Sequence, residues 1–530
     1  MKYFTVFQLC ALALSVSAVS HETKRFEERC TSLASLNIQG SEFISSYFVK
    51  SGTNLTFPQN DPSCSRPSQL VSQDLCRVAL NVTTSPRSGI FMEVWLPEQW
   101  SGRFLSTGNG GLGGCIQYED MDYTASLGFA TVGTNNGHNG MAGDSFFNNP
   151  DTIEDFAYRA VRVGVIVGKQ ISRAFYGKLH TKSYYLGCST GGRQGFKEAQ
   201  TFPEDFDGIV AGAPAFSFNN LTSWSCHFYP LTGPEGSSTF VPLSMWSIIH
   251  ADILNQCDGL DGVRDGIIES PDLCNYTVSS DLICRHGQGN KTNCLTPKQV
   301  ETVNNIFSPL LGVDGSLVYP RMQPGSEELG AAQIYYSGKP FDAADWFRYA
   351  ILNNASWDPL TLSAEDYALA SHKNPFNIET WDGDLSAFKN RGSKILHYHG
   401  LVDQIISSDN SARYYEHVSQ TMGLAPRDMD EFYRYFRISG MAHCGGGPGA
   451  SFIGNSKRNA ASLHAEENVL AAMVRWVEDG IPPDTITGTA YVNGTSDGEP
   501  AFKRRHCRWP YRNVYQNSGD PKNAANWKCI

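Results

Sequence analysis

Residues 187–191 read Gly-Cys-Ser-Thr-Gly, so that a serine lies between two glycines, each two positions away. After a short apolar strand and before a helix, this pattern is typical of a nucleophile elbow, a tight turn that lifts the serine hydroxyl out of a sheet. The apolar run 183–186 precedes it, and a glycine-rich stretch that can open a helix follows. Ser189 is therefore the candidate nucleophile. A chance match is the alternative, because the chain contains 50 glycines.

A serine hydroxyl needs an imidazole to remove its proton and a carboxylate to orient that imidazole. Hydrolases with this elbow supply the partners in the order serine, acid, histidine. Asp403 lies three residues after the strand-like run 394–400, and His443 follows the run 432–438. Loops at the carboxyl ends of parallel strands open on one face of a sheet, so these side chains can converge. We predict a triad of Ser189, Asp403 and His443, although Asp403 alone could be a turn carboxylate and His443 a loop histidine.

Acyl transfer also requires hydrogen-bond donors for the negative charge that develops on the carbonyl oxygen. One predicted donor is the backbone N–H of Thr190, directly after the nucleophile. We expect the second donor from Gly110 or Gly111, in the glycine-rich turn 108–115 that follows the strand-like run 103–107. A flexible loop is the alternative, and a phosphate cradle is disfavoured because no Gly-Lys-Ser/Thr follows.

The elements that must position these residues show an α/β pattern. Between residues 91 and 215, short strand-like runs alternate with helical ones, which favours a parallel sheet with crossover helices. Regular alternation fades between 218 and 385, so we interpret that segment as an insertion. We predict an α/β-hydrolase core formed by residues 19–217 and 386–530, with a lid domain at 218–385. The predicted strands are 91–97, 103–107, 129–134, 183–186, 206–212, 394–400 and 432–438, and the predicted helices are 154–175 and 461–478.

Charge and the N-terminus limit the possible partners and compartment. The 530-residue chain has a net charge of -11 and no basic run long enough to follow a phosphate backbone, which argues against nucleic acid as a partner. Residues 1–18 combine a lysine, an apolar segment and small residues, as in a secretory signal cleaved after Ala18 or Ser20. No later stretch is apolar for long enough to span a bilayer. We therefore expect a secreted, extracellular protein.

Sequons and cysteines agree with export. Of the fourteen cysteines, Cys10 would leave with the signal, and thirteen in an oxidising compartment imply six disulfides and one free thiol. Structural zinc is the alternative, but the close cysteine pairs at 257/274 and 284/294 lack a Cys-x-x-Cys arrangement and a matching histidine pair. The predicted glycosylation sites are Asn54, Asn81, Asn220, Asn275, Asn290, Asn354 and Asn493.

Together these features resemble the tannase and feruloyl esterase family, in which the cysteines beside the serine and the histidine form a disulfide. Here Cys188 precedes the serine and Cys444 follows the histidine. If the serine oxygen and the imidazole lie about 3 Å apart, the neighbouring backbones come close enough for a bridge that braces both groups. The resemblance covers about residues 30 to 529 and is closest to fungal feruloyl esterases of type B in residues 106–111, 187–195 and 431–434.

The resemblance implies disulfide pairings that spacing does not show. Cys226 remains without a partner, which departs from the family pattern. The implied pairs are Cys30 with Cys76, Cys64 with Cys115, Cys188 with Cys444, Cys257 with Cys274, Cys284 with Cys294, and Cys507 with Cys529.

The resemblance also implies a structural calcium ion in the lid. Asp258, Asp261 and Asp265 match its carboxylate ligands, and Val263 and Ile267 match its two carbonyl ligands. Hard oxygen ligands interleaved with glycine suit calcium, although the spacing departs from that of an EF-hand loop. An ordinary acidic surface turn is the alternative.

The activity that the resemblance implies is hydrolysis of hydroxycinnamoyl esters, such as feruloyl or p-coumaroyl groups on plant cell-wall polysaccharides or in small phenolic esters. Tannase activity on galloyl esters is the nearest alternative. A secreted calcium-binding protein without catalysis is another alternative, against which the complete triad argues, and only the resemblance argues against a peptidase. An aromatic-rich lid can hold a phenolic ring by stacking and apolar contact, but the sequence does not identify the residues that do so.

Overall fold

The computed structural model describes residues 24–285 and 293–530, so the predicted signal peptide, Cys10 and the sequon at Asn290 lie outside the described residues. In chain order the described strands are β1 (Ser41–Val49), β2 (Asn54–Thr56), β3 (Ser68–Leu70), β4 (Leu75–Ser85), β5 (Ser88–Pro97), β6 (Arg103–Thr107), β7 (Phe129–Thr134), β8 (Lys182–Cys188), β9 (Gly208–Gly212), β10 (Leu310–Leu311), β11 (Leu317–Tyr319), β12 (Lys394–Gly400), β13 (Tyr433–Ile438), β14 (Thr485–Tyr491), β15 (Pro500–Cys507), β16 (Asn513–Tyr515) and β17 (Trp527–Cys529). The described α-helices are α1 (24–32), α2 (Tyr118–Ser126), α3 (Pro150–Glu154), α4 (Ala160–Tyr176), α5 (Thr190–Thr201), α6 (Phe218–Thr232), α7 (Trp246–Cys257), α8 (Pro297–Ile306), α9 (Ala332–Ile334), α10 (Ala364–Lys373), α11 (Ser386–Asn390), α12 (Asp409–Met422), α13 (Pro426–Met429) and α14 (Val469–Asp479).

A nine-stranded mixed sheet forms the centre of the fold, in the order β1-β4-β5-β7-β6-β8-β9-β12-β13. Neighbours from β7 to β13 in that order are all parallel. The β1, β4 and β5 pairings are antiparallel, and β5 is also antiparallel to β7. The predicted parallel α/β sheet is therefore one part of a larger sheet. The other part is antiparallel, and its strands β4 and β5 are joined by a short hairpin that needs no crossover helix.

The parallel strands are buried on both faces, as expected for a sheet covered by helices. Tyr185 and Ile209 pack with residues of α4, α5 and α12 on one face. Tyr184 and Val210 pack with α14 on the other face. This alternation explains why the apolar runs of β8 and β9 are continuous in sequence.

One predicted helix begins later in the structure than the sequence suggested, and the other begins earlier, because α3, a π-helical turn and α4 follow one another without a gap from Pro150 to Tyr176. The prediction of a helix over 461–478 is wrong at its start, because α14 begins at Val469. The side chain of Asn468 accepts hydrogen bonds from the N–H groups of Leu470 (3.1 Å) and Ala471 (2.9 Å) and so caps α14. In the predicted helix 154–175, a π-helical turn precedes α4.

Between β9 and β12 the chain leaves the sheet, and we call residues 218–385 the insert. The insert supplies most of one apolar cluster, including Trp224, Trp246 and Trp346, and this cluster also takes in Phe146 and Phe156 of the sheet domain. The C-terminal tail contacts the insert, because Arg504 of β15 forms ion pairs with Asp265 (2.8 Å) and Glu269 (2.6 Å). Within the described ranges, no helix combines the length and apolar character needed to cross a bilayer.

Six disulfides connect the described chain, with the pairings that the resemblance implies. Cys226, the free cysteine of the described part, is buried in the insert. Asn220 is half-buried and accepts a hydrogen bond from the Ser371 hydroxyl (2.7 Å). The other described sequon asparagines are exposed: Asn54, Asn81, Asn275, Asn354 and Asn493.

Candidate active site

Ser189 occupies the sharp turn between β8 and α5 with a backbone φ of +66°, in the left-handed region that non-glycine residues rarely adopt. Its N–H donates to the carbonyl of Gly212 on β9 (2.9 Å), and its carbonyl accepts from the N–H of Ala215 (3.1 Å). A Cβ added to Gly192 would lie only 2.3 Å from the oxygen of Gly212. Glycine at 192 therefore lets the elbow lie against β9 and fixes the position of the serine.

The glycine-rich turn 108–115 is tied to the elbow by side-chain hydrogen bonds. The Thr190 hydroxyl donates to the carbonyl of Gly111 (2.7 Å). The buried amide of Gln194 donates to Asn109 Oδ1 (3.0 Å) and accepts from the Asn109 N–H (2.9 Å). Gly110 and Gly111 line the same cavity as Ser189 and Thr190. These contacts hold the turn beside Ser189, where the predicted second oxyanion donor belongs.

Asp403 follows β12 and is fully buried. Its Oδ2 accepts hydrogen bonds from His443 Nδ1 (2.7 Å) and His399 Nε2 (3.1 Å). Its Oδ1 accepts from the N–H groups of Ile405 (2.7 Å) and Ile406 (2.9 Å). Burial alone would raise the pKa of the Asp403 carboxyl, but the charge of His443 and the hydrogen bonds from both histidines outweigh it and hold the pKa well below its usual range. The carboxylate is therefore ionised and fixed in orientation.

A chain of hydrogen bonds continues from Asp403 into the core through His399. His399 Nε2 also lies 3.2 Å from a backbone carbonyl oxygen, which can only accept, so this nitrogen carries a proton. In neutral His399, Nδ1 then accepts from the Ser411 hydroxyl (2.6 Å). Ser411 Oγ accepts from His397 Nε2 (2.9 Å), and His397 Nδ1 accepts from the Tyr433 hydroxyl (2.9 Å). Burial, and then the charge of His399, hold the pKa of His397 well below its usual range.

Sequence reasoning treated His397 and His399 only as members of a strand. Their spacing of two residues places both side chains on one face of β12. This spacing is the sequence feature that could have linked the two histidines. The roles of Ser411 and Gln194 depend on contacts between distant segments, which no local pattern indicates.

His443 follows β13 and lies at the rim of the same cavity as Ser189. Its backbone N–H donates to Gln404 Oε1 (2.9 Å). The adjacent Cys444 is bonded to Cys188, 256 residues away in sequence, with their Cα atoms 6.0 Å apart. The residues next to the serine and next to the histidine are therefore covalently joined, as the resemblance implied.

The cavity has a volume of about 520 Å³ and two chemically different walls, with Ser189 and His443 among its lining residues. One wall, which we call the aromatic wall, comes from the insert and is largely apolar. The other, the polar wall, comes from loops of the sheet domain. The aromatic wall contains Phe218, Leu221, Thr222, Ser225, Tyr335, Phe341, Asp342 and Ala343, and the polar wall contains Arg66, Gln117, Asp120, Asn455 and Ser456.

The predicted calcium ligands lie in the insert, away from the residues that line the cavity. Asp258 accepts from the Gly266 N–H (3.2 Å), and Asp265 pairs with Arg504 (2.8 Å). Asp261 Oδ2 is buried and finds no hydrogen-bond partner in the part of the chain that the structure describes. Burial together with the charges of Glu269 and Asp265 raises the pKa of Asp261 to about 7.

Across the described ranges, no group of three or more histidine, cysteine or acidic side chains is arranged so that it could hold a metal ion. Nevertheless, the hard oxygen donors and the orphaned carboxylate oxygen at this turn fit a calcium ion in their chemistry.

Comparisons with known proteins agree with this architecture. A family model for tannase and feruloyl esterase matches residues 76–530. The chain is 53% identical over 518 residues to a probable feruloyl esterase B-2 of Aspergillus oryzae, covering 97% of each chain. The crystal structure of feruloyl esterase B from Aspergillus oryzae is similar with a TM-score of 0.92 and 50% identity, over 95% of this chain and 100% of that chain. Tannin acyl hydrolase from Aspergillus niger, with 23% identity and a TM-score of 0.74 over 95% of each chain, is similar in fold.

Proposed function

Because the chain belongs to the tannase and feruloyl esterase family, we propose that it is a secreted serine esterase that hydrolyses hydroxycinnamoyl esters of plant cell-wall polysaccharides and related small phenolic esters. One observation carries the catalytic part of this proposal. Ser189 and His443 line one cavity, their neighbours share a disulfide, and a buried carboxylate lies 2.7 Å from the far side of the imidazole.

In the proposed mechanism, His443 Nε2 takes the proton of the Ser189 hydroxyl as the oxygen attacks the ester carbonyl carbon. Asp403 holds Nδ1–H and stabilises the imidazolium that forms. The N–H of Thr190 and that of Gly110 or Gly111 donate to the oxyanion. The ester C–O bond breaks, and His443 gives its proton to the leaving alcohol oxygen. Water, deprotonated by His443, then attacks the acyl-enzyme, and the acid leaves as the proton returns to Ser189.

The aromatic wall supports a phenolic acyl group as the substrate's acid part. Its hydroxyl groups already donate to backbone carbonyls: Tyr335 to Ile405 (2.8 Å), Thr222 to Asn219 (2.9 Å) and Ser225 to Thr222 (3.2 Å). Asp342 also lines the cavity from the insert, and apart from it this wall has few uncommitted polar groups. Such a wall favours a hydroxycinnamoyl ring, with one or two polar substituents, over a galloyl ring with three hydroxyls.

The substrate class is tested by comparing kcat/KM for methyl ferulate, methyl p-coumarate and methyl gallate. We expect the ferulate or coumarate ester to be preferred over gallate by at least about tenfold, because each unpaired buried hydroxyl carries a desolvation cost. A preference for gallate would favour the tannase alternative.

We further propose that the insert is a lid domain with a structural calcium ion held by Asp258, Asp261 and Asp265 and by the carbonyls of Val263 and Ile267. When bound, the ion would supply positive charge to a turn rich in carboxylates. After chelation, added Ca²⁺ should raise the thermal unfolding midpoint of the wild type but not of Asp261→Asn. An unchanged midpoint in the wild type would contradict the site.

The proposed secretion rests on the signal-like residues 1–18 and on the six disulfides. The N-terminal sequence of the full chain produced in a fungal host tests it. We expect the exported protein to begin at Val19 or His21, and retention in the cells with residue 1 intact would contradict export.

A further inference from the structure

We propose that the polar wall is a subsite for the hydroxyl groups of a sugar that forms the alcohol part of the ester. Arg66, Gln117, Asp120 and Asn455 are the residues that would contact it. This inference rests on the proposed function and adds to it a binding place for the leaving alcohol and the residues that would bind it.

The proton transfer of ester hydrolysis determines where the alcohol must lie. His443 returns its proton to the alcohol oxygen, so that oxygen has to come within hydrogen-bond reach of the imidazole. Asn455 Nδ2 donates to the carbonyl of Cys444 (2.8 Å), the residue next to His443. On the other side, Gln117 lies beside the oxyanion turn, because its Nε2 would be 3.9 Å from a Cβ atom added to Gly110. The polar wall therefore borders both the proton donor and the oxyanion turn.

Asn455 presents an acceptor that the protein does not satisfy. Its Nδ2 donates to a carbonyl oxygen and to the Tyr398 hydroxyl (2.9 Å), which assigns the orientation of the amide. Its Oδ1 is buried and has no hydrogen-bond partner among the described residues. An unpaired buried carbonyl oxygen is costly and rare in native proteins. Oδ1 has almost no exposed surface, so a substrate hydroxyl would reach it only after the Asn455 side chain turns toward the cavity, and the hydrogen bond made there would remove this cost.

Arg66 is held in place before any substrate binds. It donates to the carbonyl of Cys64 (3.0 Å) and to Gln117 Oε1 (2.5 Å), and the disulfide between Cys64 and Cys115 fixes the two loops that carry these groups. These two contacts use two of the five guanidinium N–H groups. Among the described residues, Arg66 also interacts electrostatically with the acids at the start of α2, Glu119 and Asp120, and with the like charge of Arg458.

This set of groups suits a neutral polyol rather than a charged or apolar alcohol. Each sugar hydroxyl can both donate and accept, so it can accept from Arg66 or the Gln117 amide and donate to Asp120 or Asn455. Burial and the charge of Glu119 raise the pKa of Asp120 to about 7, so near neutral pH this carboxyl can donate as well as accept. Charges of both signs, on Arg66, Arg458 and Glu119, surround it, so neither sign dominates the wall. The aromatic wall differs, because its hydroxyls are already bound to backbone carbonyls.

The test uses two esters with the same acyl group and different alcohols, methyl ferulate and a feruloyl ester of arabinose. For each enzyme the measured quantity is the ratio of kcat/KM for the sugar ester to kcat/KM for the methyl ester. We expect Arg66→Met to lower this ratio about tenfold and Gln117→Leu about threefold, because a hydrogen bond from a charged donor contributes more than one from a neutral donor. Arg173→Met, on the exposed face of α4, is the matched control and should leave the ratio unchanged.

Asp120→Asn keeps the side-chain size and provides a second variant if Arg66→Met does not fold. It should lower the ratio by at least about threefold. A ratio within twofold of the wild type in every folded variant would overturn the subsite, as would equal losses on both esters. If the wild type hydrolyses the sugar ester alone or both esters, the proposed function stands even when the variants overturn the subsite. Failure of the wild type on both esters would overturn the proposed function itself and the subsite with it.

Discussion

The sheet domain and the insert contribute different walls to one cavity, and they are built in different ways. Ser189, Asp403 and His443 follow β8, β12 and β13, so parallel strand pairing brings them to one edge. The insert has helices and turns, and it is organised around buried aromatic side chains. Backbone pairing therefore places the three predicted triad residues, whereas side-chain packing shapes the part of the cavity that the insert lines. Substitutions at the strand ends should lower turnover, and those in the insert should change stability or selectivity.

Asp403→Asn should have the largest effect on turnover. An amide in place of the carboxylate cannot stabilise the imidazolium and favours the wrong tautomer of His443, so kcat should fall by about 10⁴-fold, as in other serine hydrolases. Asp382→Asn, at an exposed position of the insert, is the control and should retain full activity. Steady-state kinetics on methyl ferulate measure both. More than a tenth of wild-type kcat in Asp403→Asn would remove this residue from the mechanism.

Removal of the disulfide beside the triad should lower both activity and stability. In the double variant Cys188→Ala, Cys444→Ala we expect kcat to fall by about 10- to 100-fold, because the serine and the imidazole lose their common brace. The free energy of unfolding should also fall by about 2–5 kcal/mol. The insert pair Cys284 and Cys294, replaced in the same way, should cost stability without a comparable loss of kcat. Full turnover without the 188–444 bond would show that it does not position the triad.

His399 tests whether the polar chain behind Asp403 acts on catalysis. His399→Ala should lower kcat about tenfold with little change in KM, because the carboxylate loses one oriented donor. His399→Gln, which can still donate to Asp403, should restore most of the lost kcat. Equal losses of kcat in His399→Ala and His399→Gln, or a loss that appears mainly in KM, would contradict this role.

The smallest expected effect concerns His250, where the insert faces the loops that carry Val402 and Gly440. Burial alone would lower the pKa of His250, but its hydrogen bond to Glu327 and the charges of Glu327 and Glu328 raise it above the ordinary 6.5. The protonated form therefore stabilises the folded state below about pH 6.5, and this contribution is lost as the pH rises through the folded-state pKa.

Urea unfolding of the wild type and of His250→Gln across that range measures the contribution of His250. The difference in the free energy of unfolding should shrink with rising pH, by no more than about 1 kcal/mol. A difference that grows with pH would contradict the assignment.

The sequence predicted those parts of the molecule that depend on local pattern and chain order. The bounds of β6, β7 and β12 coincide with the predicted runs, since these strands are short, apolar and followed by glycine or turn residues. The elbow at Ser189 was predictable because its steric demand for glycine appears directly in the sequence. The strands β1 and β4 were not predicted. They contain polar residues and belong to the antiparallel part of the sheet, so they lack the alternation of strand and helix that indicated the parallel strands. Tyr335, Phe341 and Asn455 could not be assigned, because their places in the cavity depend on contacts between distant segments.

The central claim is that Ser189 is the nucleophile activated by His443, and covalent labelling tests it most directly. Incubation with an aryl phosphonate ester, followed by intact-mass and peptide analysis, reports which side chain attacks. We predict one adduct per chain on the peptide that contains Ser189, slow labelling in His443→Ala and none in Ser189→Ala, which should also lack turnover. An adduct on another residue, or ester hydrolysis by Ser189→Ala at the wild-type rate, would contradict the account.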